Sequence, residues 1–480
     1  MKILVVGAGT AGMISALILN KFLDAQVDVV HSKDIGIIGV GEGSTEHFNE
    51  FLNFIGIDPN LIIKECGSTL KYGILFDGWT KNPYTHSVVS PYNSAFADNH
   101  HVYLKLISES NKKMMSKNIG ENKIPFFFVN SNFFPTNQYH FNTKRLQDFM
   151  IDLAKKNNVG VFEDEINEII ISDTGEIKYL VGEKNKYEYD FYVDCTGFKK
   201  MLIGPMGGQW KSFSKHLIVD SAMVFQTEDE DEYSVCTLAK AMDAGWMFKI
   251  PTWGKHGNGY IYSSKYISED DAKLEVEKTL GFKIKIEKIF KFDPGALKNP
   301  WINNCVAIGL SGSFVEPLEA TSIGTSIQQS FLLMNKIINY DNETIKEYNL
   351  EFTNITENIR DFIFLHYLSG KDDTPFWKDV QKIAPTEKLS ERLKKWKTRL
   401  PSKSDFSADS NYILFSESNY ILVMYGLGLI SESQASKYYM GLGKNVRDSA
   451  SLIIENQENL ENITKTIGHK DFIRLIRDYM

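Results

Sequence analysis

Cysteine is scarce. Cys66, Cys195, Cys236 and Cys305 are the only four in 480 residues, and no two form a CxxC pair. Such spacing gives neither a disulfide framework nor a zinc-ligand pattern, so a reducing, cytoplasmic setting is expected. Positive charge is also short. The 53 Lys and Arg against 61 Asp and Glu leave a net charge of −8, without the basic face of a nucleic-acid binder. No apolar run is long enough to cross a bilayer, so no membrane partner is expected. Met1–Val6 enters a glycine turn with no small-residue cleavage site and reads as a strand, not a signal peptide. HxH and HExxH spacings are absent, and His100 and His101 would diverge on a strand, so no metal site is expected. Arginine supplies only seven of the basic residues, while Lys, Asn and Ile abound, a usage that suits an AT-rich coding sequence of a phage or a low-GC bacterium. There is no internal repeat or low-complexity linker, and the 13 prolines and 34 glycines are scattered, which points to interleaved domains.

What is present is enough to build a large core: 43% hydrophobic and 12% aromatic residues, with 24% charged, a balance that excludes wholesale disorder. Residues 2–7 form a buried-strand run, 11–24 carry helix-spaced apolar residues, and 27–30 form a second strand. Between the first two lies Gly7-Ala8-Gly9-Thr10-Ala11-Gly12, a GxGxxG in a βαβ setting. Glycines there let the backbone approach a pyrophosphate, which then sits at the positive end of the helix. The ribose-binding acid expected about twenty residues on is missing, since that strand ends Val29-Val30-His31-Ser32. Two later strands also end in glycine turns, Asp194-Cys195-Thr196-Gly197 and Ala307-Ile308-Gly309-Leu310-Ser311-Gly312. Three such turns, the last near residue 310, suggest a long cofactor across one sheet, FAD rather than NAD. No second GxGxxG exists for NAD(P)H, so a reductant is expected from elsewhere. Short strands at 159–162, 188–194 and 304–310, a mixed region at 210–290 and helical periodicity at 325–340, 344–366 and 378–398 give an α/β class. The expected architecture is a Rossmann-like flavoprotein core of the PHBH type with a mostly helical C-terminal region.

These residues and three longer motifs resemble the flavin-dependent halogenases of the tryptophan-halogenase family along nearly the whole chain. Gly39-Val40-Gly41-Glu42-Gly43-Ser44 resembles that family's GVGE segment. Gly245-Trp246-Met247-Phe248-Lys249-Ile250-Pro251 resembles its GWxWxIP motif with Phe248 for the second tryptophan. Phe314-Val315-Glu316-Pro317-Leu318-Glu319-Ala320-Thr321 resembles its FLEPLEST stretch with Ala for Ser. The resemblance implies that reduced FAD (FADH2) and O2 oxidise halide to hypohalous acid, and that a separate flavin reductase supplies the FADH2. It makes Lys71 the catalytic lysine, which holds or captures the oxidant; an ammonium on a flexible stem suits either job. It makes Glu319 the catalytic glutamate, which stabilises the cationic ring or takes its proton, and leaves Glu316 as the structural acid. It assigns the halide to the backbone N–H groups of Thr321 and Ser322 at a helix start; the family has glycine at Ser322, which bears on halide preference. Beside Gly7, Gly9, Thr10, Ala11 and Gly12, the implied cofactor contacts are Ser32, Ile35, Val40, Glu42, Gly43, Ile166, Leu310 and Ile323.

The implied domain plan is a core over 1–330, interleaved with substrate-facing segments at about 70–140 and 205–290, and a helical region over 331–480 covering the substrate site. A homo-oligomer is compatible with it. His86, Val88, Phe415 and Trp246 are the expected substrate-pocket residues, with Val88 where the family has phenylalanine and Phe415 where it has tryptophan. The 401–412 stretch is shorter than the family's and carries one tyrosine, so the expected substrate is a varied small phenol, aniline or indole and not free tryptophan. Three alternatives stay open: a flavin monooxygenase of a small aromatic, a tryptophan-specific halogenase, and a non-catalytic flavin-binding protein.

Overall fold

The computed structural model describes all residues except 34–38, 40, 88–98, 110–119, 126–127, 130–131, 134–137 and 480. Its first sheet has six strands in the order Gly160–Glu163, Gln26–His31, Lys2–Val6, Phe191–Asp194, Cys305–Ala307 and Trp301–Ile302, all parallel except the last. The opening run KILVV is buried from its second residue onward, as a strand covered on both faces must be. The pairings Val6 with Val30, Val6 with Asp194 and Asp194 with Ala307 bring four strand ends level. The carboxyl ends of such strands are where open α/β sheets bind ligands.

The helix Thr10–Phe22 buries Met13 through Leu19. It packs against Thr321–Lys336, where the Ser15 and Ser330 hydroxyls meet at 2.9 Å. The second sheet has seven strands: Ile286–Lys291, Ser221–Glu228, Lys255–Tyr262, Gly245–Thr252, Cys236–Met242, Gly73–Asp77 and Tyr84–His86. It is antiparallel except where Cys236–Met242 pairs with Gly73–Asp77. Segments 73–86 and 221–291 thus join one sheet although the first-sheet strands separate them in sequence.

From Thr321 onward the described chain is helical apart from Thr466–Gly468, which pairs with Lys123–Pro125. The helix expected at 325–340 starts four residues earlier. The one expected at 378–398 is two, Pro375–Val380 and Glu387–Trp396, because Pro385 breaks the chain and Thr386 caps the second through the Leu389 N–H. His100 and His101 open a helix, His100–Ser108, and not a strand; Val102, Leu106 and Ile107 give it the helical apolar spacing. Among the described residues no helix is long and apolar enough to cross a membrane.

Candidate active site

The level strand ends open into a cavity of about 500 Å3. All three glycine turns reach it. Gly12 packs beneath the first turn, where any Cβ would collide with the Gly7 carbonyl, whereas a Cβ on Gly9 would meet nothing within 4 Å. Gly9 is therefore the open floor of the turn and Gly12 its closed base. Gly309 (φ +73) lies so close to Ala11 that a Cβ there would sit 2.6 Å from the alanine methyl. The second turn is held by Asp194, whose carboxylate accepts the Thr196, Leu202 and Ile203 N–H groups at 2.8–3.0 Å and the Ser311 hydroxyl at 3.1 Å. Of the residues expected at a cofactor, Gly7, Gly9, Thr10, Ala11, Ser32, Glu42, Gly43, Ile166, Leu310 and Ile323 line this cavity. Ile35 and Val40, and the pocket residue Val88, lie outside the described residues. A glycine floor at a helix start, an elongated apolar wall and a second sheet as roof fit the pyrophosphate and ring system of a flavin dinucleotide.

One wall comes from the second sheet. Along Gly245–Thr252 the side chains alternate, so Trp246, Phe248 and Ile250 face the cavity while Met247 joins a separate core. The Trp246 indole N–H is held by Glu316 Oε2 at 2.7 Å, and the Tyr367 hydroxyl donates to the same oxygen at 2.6 Å. Burial pushes the Glu316 carboxyl up to about 7 against these two hydrogen bonds. The structure thus places Trp246, expected at the substrate, in the wall of the strand-end cavity.

Lys71 reaches the same place by a small three-stranded ladder. Tyr139–Phe141 pairs with Glu42–Gly43 on one edge and Thr69–Leu70 on the other, which sets Lys71 beside the Gly43–Ser44 turn. The ammonium, on a residue only 2% exposed, donates to the Ser44 carbonyl at 2.8 Å. A Cβ on Gly43 would stand 3.5 Å from Lys71 Nζ and 3.4 Å from the Ala320 methyl, so the missing side chain of Gly43 lets the lysine and the 319–320 loop close on the same space. Burial pulls Lys71 down to about 8, opposed by the negative charge of Glu319. The sequence suggested a semi-buried lysine; the ladder buries it fully.

Glu319 closes the loop before the helix Thr321–Lys336. Ala320, the residue between, holds a left-handed conformation (φ +56) that a side chain rarely adopts, a local strain of the kind found at functional sites. His86 Nδ1 lies 2.9 and 3.0 Å from the two Glu319 oxygens. His366 Nε2 is 3.0 Å from Oε1, within hydrogen-bond range though its N–H is tilted off the line. Burial raises the carboxyl, but the two imidazoles outweigh it and hold Glu319 down at about 2. Helix 321–336 has no side-chain cap, Ser322 lines the cavity, and the buried Thr321 hydroxyl oxygen has no partner. First-turn N–H groups lack intrahelical acceptors, so this end suits an anion.

Phe415 is stacked on Phe362 at 4.0 Å, and Phe362 in turn touches His86 at 5.4 Å. Three residues that sequence reasoning missed belong to this cluster. His366 and Tyr84 sit beside Glu319, with the Tyr84 hydroxyl 2.9 Å from His366 Nδ1. Asn419 reaches His86 Nε2 at 3.2 Å. A fourth, His469, accepts the Leu70 N–H at 3.0 Å and ties the last helix to the residue before Lys71.

A family model described as tryptophan halogenase matches residues 2–440. Among curated relatives, tryptophan 7-halogenase RebH of Lentzea aerocolonigenes is 28% identical, with 91% of each chain covered. Among solved structures, the flavin-dependent halogenase Xcc4156 of Xanthomonas campestris is 27% identical with a TM-score of 0.83, covering 98% of this chain and 97% of its own. A tryptophan halogenase of Shewanella frigidimarina shares the fold at 23% identity and a TM-score of 0.88, covering 100% of this chain and 98% of its own.

Proposed function

Because the chain belongs to the tryptophan halogenase family, we propose that it is an FADH2-dependent enzyme that halogenates small electron-rich aromatics through Lys71 and Glu319. The observation that carries this reading is that a buried amine, Lys71, and the loop of the buried carboxylate Glu319 both crowd Gly43, at the edge of a cavity with a dinucleotide-type glycine floor. The glycine turns would hold the FAD pyrophosphate, with Ser32 and Ile166 toward the adenosine end and Glu42, Gly43, Leu310 and Ile323 toward the ring system. When bound, reduced FAD supplies with O2 the two-electron oxidation that turns halide into hypohalous acid.

The Thr321 and Ser322 N–H groups offer halide a site beside that wall. Lys71, brought to about 8 by burial, is mostly ammonium at neutral pH and donates its proton to the hypohalous oxygen. Halogen then bonds to a ring carbon while water leaves, and the ring loses one proton. Glu319 stabilises the cationic ring through its charge. A separate flavin reductase would supply FADH2.

The substrate class is a small phenol, aniline or indole in place of free tryptophan. Both acids of 401–412 are already engaged: Asp405 pairs with Arg399 and accepts the Trp396 N–H, and Asp409 pairs with Lys388 and Arg392 at 2.6 and 2.8 Å. Neither is left to clamp an amino acid's ammonium group. The test incubates the enzyme with FAD, a flavin reductase, NADH and bromide or chloride, then follows halogen mass shifts for indole, tryptamine and tryptophan. Halogenated indole with modest affinity is expected. Oxygenated product without halide would overturn the halogenase reading, and a strong preference for free tryptophan would overturn the substrate class.

A further inference from the structure

Glu319 is flanked by two imidazoles, and each ring has one outer partner that determines where its proton sits. We propose that Asn419 and Tyr84 lock His86 and His366 in opposite neutral tautomers, so that both rings present an N–H to Glu319 and hold it as a fixed anion. The inference rests on the proposed reaction for its consequence but not for its geometry.

Asn419 is the third residue of the helix Glu417–Gly426, and its Oδ1 accepts the Ser416 N–H at 2.9 Å in a capping box. That bond fixes the amide's orientation and turns Nδ2, a donor only, toward His86 Nε2 at 3.2 Å. His86 Nε2 must therefore accept, which leaves its single proton on Nδ1, facing the Glu319 oxygens. A doubly protonated ring would set two donors against each other. On the other side, Tyr84 Oη stands 2.9 Å from His366 Nδ1. The Glu319 carboxylate oxygen, an acceptor only, stands 3.0 Å from His366 Nε2 and draws the ring proton there, which leaves the Tyr84 hydroxyl as the donor to Nδ1. His366 Nδ1 accepts, its proton lies on Nε2, and Nε2 faces Glu319 Oε1. Burial lowers His366, which keeps the ring neutral. His366 stacks on Phe76 at 4.5 Å, Phe76 stacks on Tyr84 at 4.7 Å, and His86 packs against Phe362 at 5.4 Å.

The charged and titratable groups that reach Glu319 come from every side: Tyr84 and His86 from one strand, His366 from the long helix 342–367, and Lys71 from the ladder turn. The two imidazoles offer Glu319 no route for passing on a proton, since both facing nitrogens already carry one. Tyr84 and Asn419 are thus positioning residues, and the proton released by the ring goes to an acceptor other than the Glu319 pair.

The test labels the full-length chain with 15N-histidine and reads ring tautomers by long-range 15N–1H correlation at pH 7, with and without FAD. His86→Gln and His366→Gln variants assign the signals. The expected result is His86 protonated on Nδ1 and His366 on Nε2. Identical tautomers, or either ring doubly protonated, would overturn the proposal even if halogenation were shown. Asn419→Asp keeps the Ser416 cap but sets a second carboxylate against Nε2, so His86 should become protonated on both nitrogens; a ring still protonated on Nδ1 alone counts against it. In turnover, Tyr84→Phe should lower kcat about tenfold with KM within twofold and raise the acid limb of the pH profile by at least one pH unit. An unshifted limb contradicts the clamp, whereas absent halogenation with the predicted tautomers would refute only the proposed reaction.

Discussion

Replacing Lys71 by methionine separates the cost of burying an amine from its use. Methionine keeps the length and most of the volume, so the ladder beside Gly43 should stay packed. The fall of the amine from 10.5 to about 8 corresponds to about 3 kcal/mol of penalty on its charged form. Against this, the variant loses the bond to the Ser44 carbonyl, worth ~1 kcal/mol net. Lys71→Met should therefore be more stable by roughly 2 kcal/mol at pH 7, a rise of a few degrees in Tm. The sign follows from linkage. Below pH 8 the amine is charged in both folded and unfolded chains, and the penalty is fully present. Between about 8 and 10.5 only the unfolded chain holds the proton, so the wild type regains stability as pH rises and the advantage of the variant vanishes. Thermal unfolding of both FAD-free proteins at pH 7 and pH 10.5, beside a bromination assay, reads both halves. More stable and inactive is the expected pair, the trade-off of a site that keeps a strained group for its chemistry. A variant that is less stable at pH 7, or that halogenates at wild-type rate, would refute the reasoning.

Gly9→Ala should fold with wild-type stability, since its Cβ meets nothing, yet bind FAD at least tenfold more weakly by flavin-fluorescence titration; Gly12→Ala should not yield folded protein, because its Cβ collides with the Gly7 carbonyl. Glu319→Gln removes the anion between two imidazoles and should slow halogenation roughly a hundredfold, measured as kcat with bromide; less than threefold would return Glu319 to a structural role. Burial raises Glu316 to about 7 from 4.5, so on its account stability falls as pH rises between those values and is level above them. Thermal unfolding of Glu316→Gln should show that fall flattened, with Trp246 still held.

The strand-end half of the site was legible because its grammar is local. Glycine marks a turn wherever it stands, and a strand run before it says which end of a sheet the turn occupies. Gly7, Gly197 and Gly309 could be read as three strand ends without knowing that Gly309 touches Ala11. The opening βαβ unit was placed within a residue or two for the same reason. Trp246, expected in the substrate pocket, is turned by the sheet toward the strand-end cavity and into the Glu316 bond.

The aromatic half has no such grammar. His366 lies in a 26-residue helix whose apolar stripe hides one imidazole among Phe362, Ile363 and Phe364, and nothing local distinguishes it from a core residue. Asn419 reads as a helix-start residue, and it is one; that same capping bond frees its amide to face His86, 333 positions away. Such pairings arise because the seven-stranded sheet, the 319–320 loop and two C-terminal helices converge on Glu319 from four regions of sequence. A motif can name the carboxylate, but its ionisation is set by rings that the motif does not contain. The chemistry of Glu319 is therefore a property of the fold: the residue alone would titrate as an ordinary acid, and the hydrogen bonds of the two converging imidazoles hold it below that.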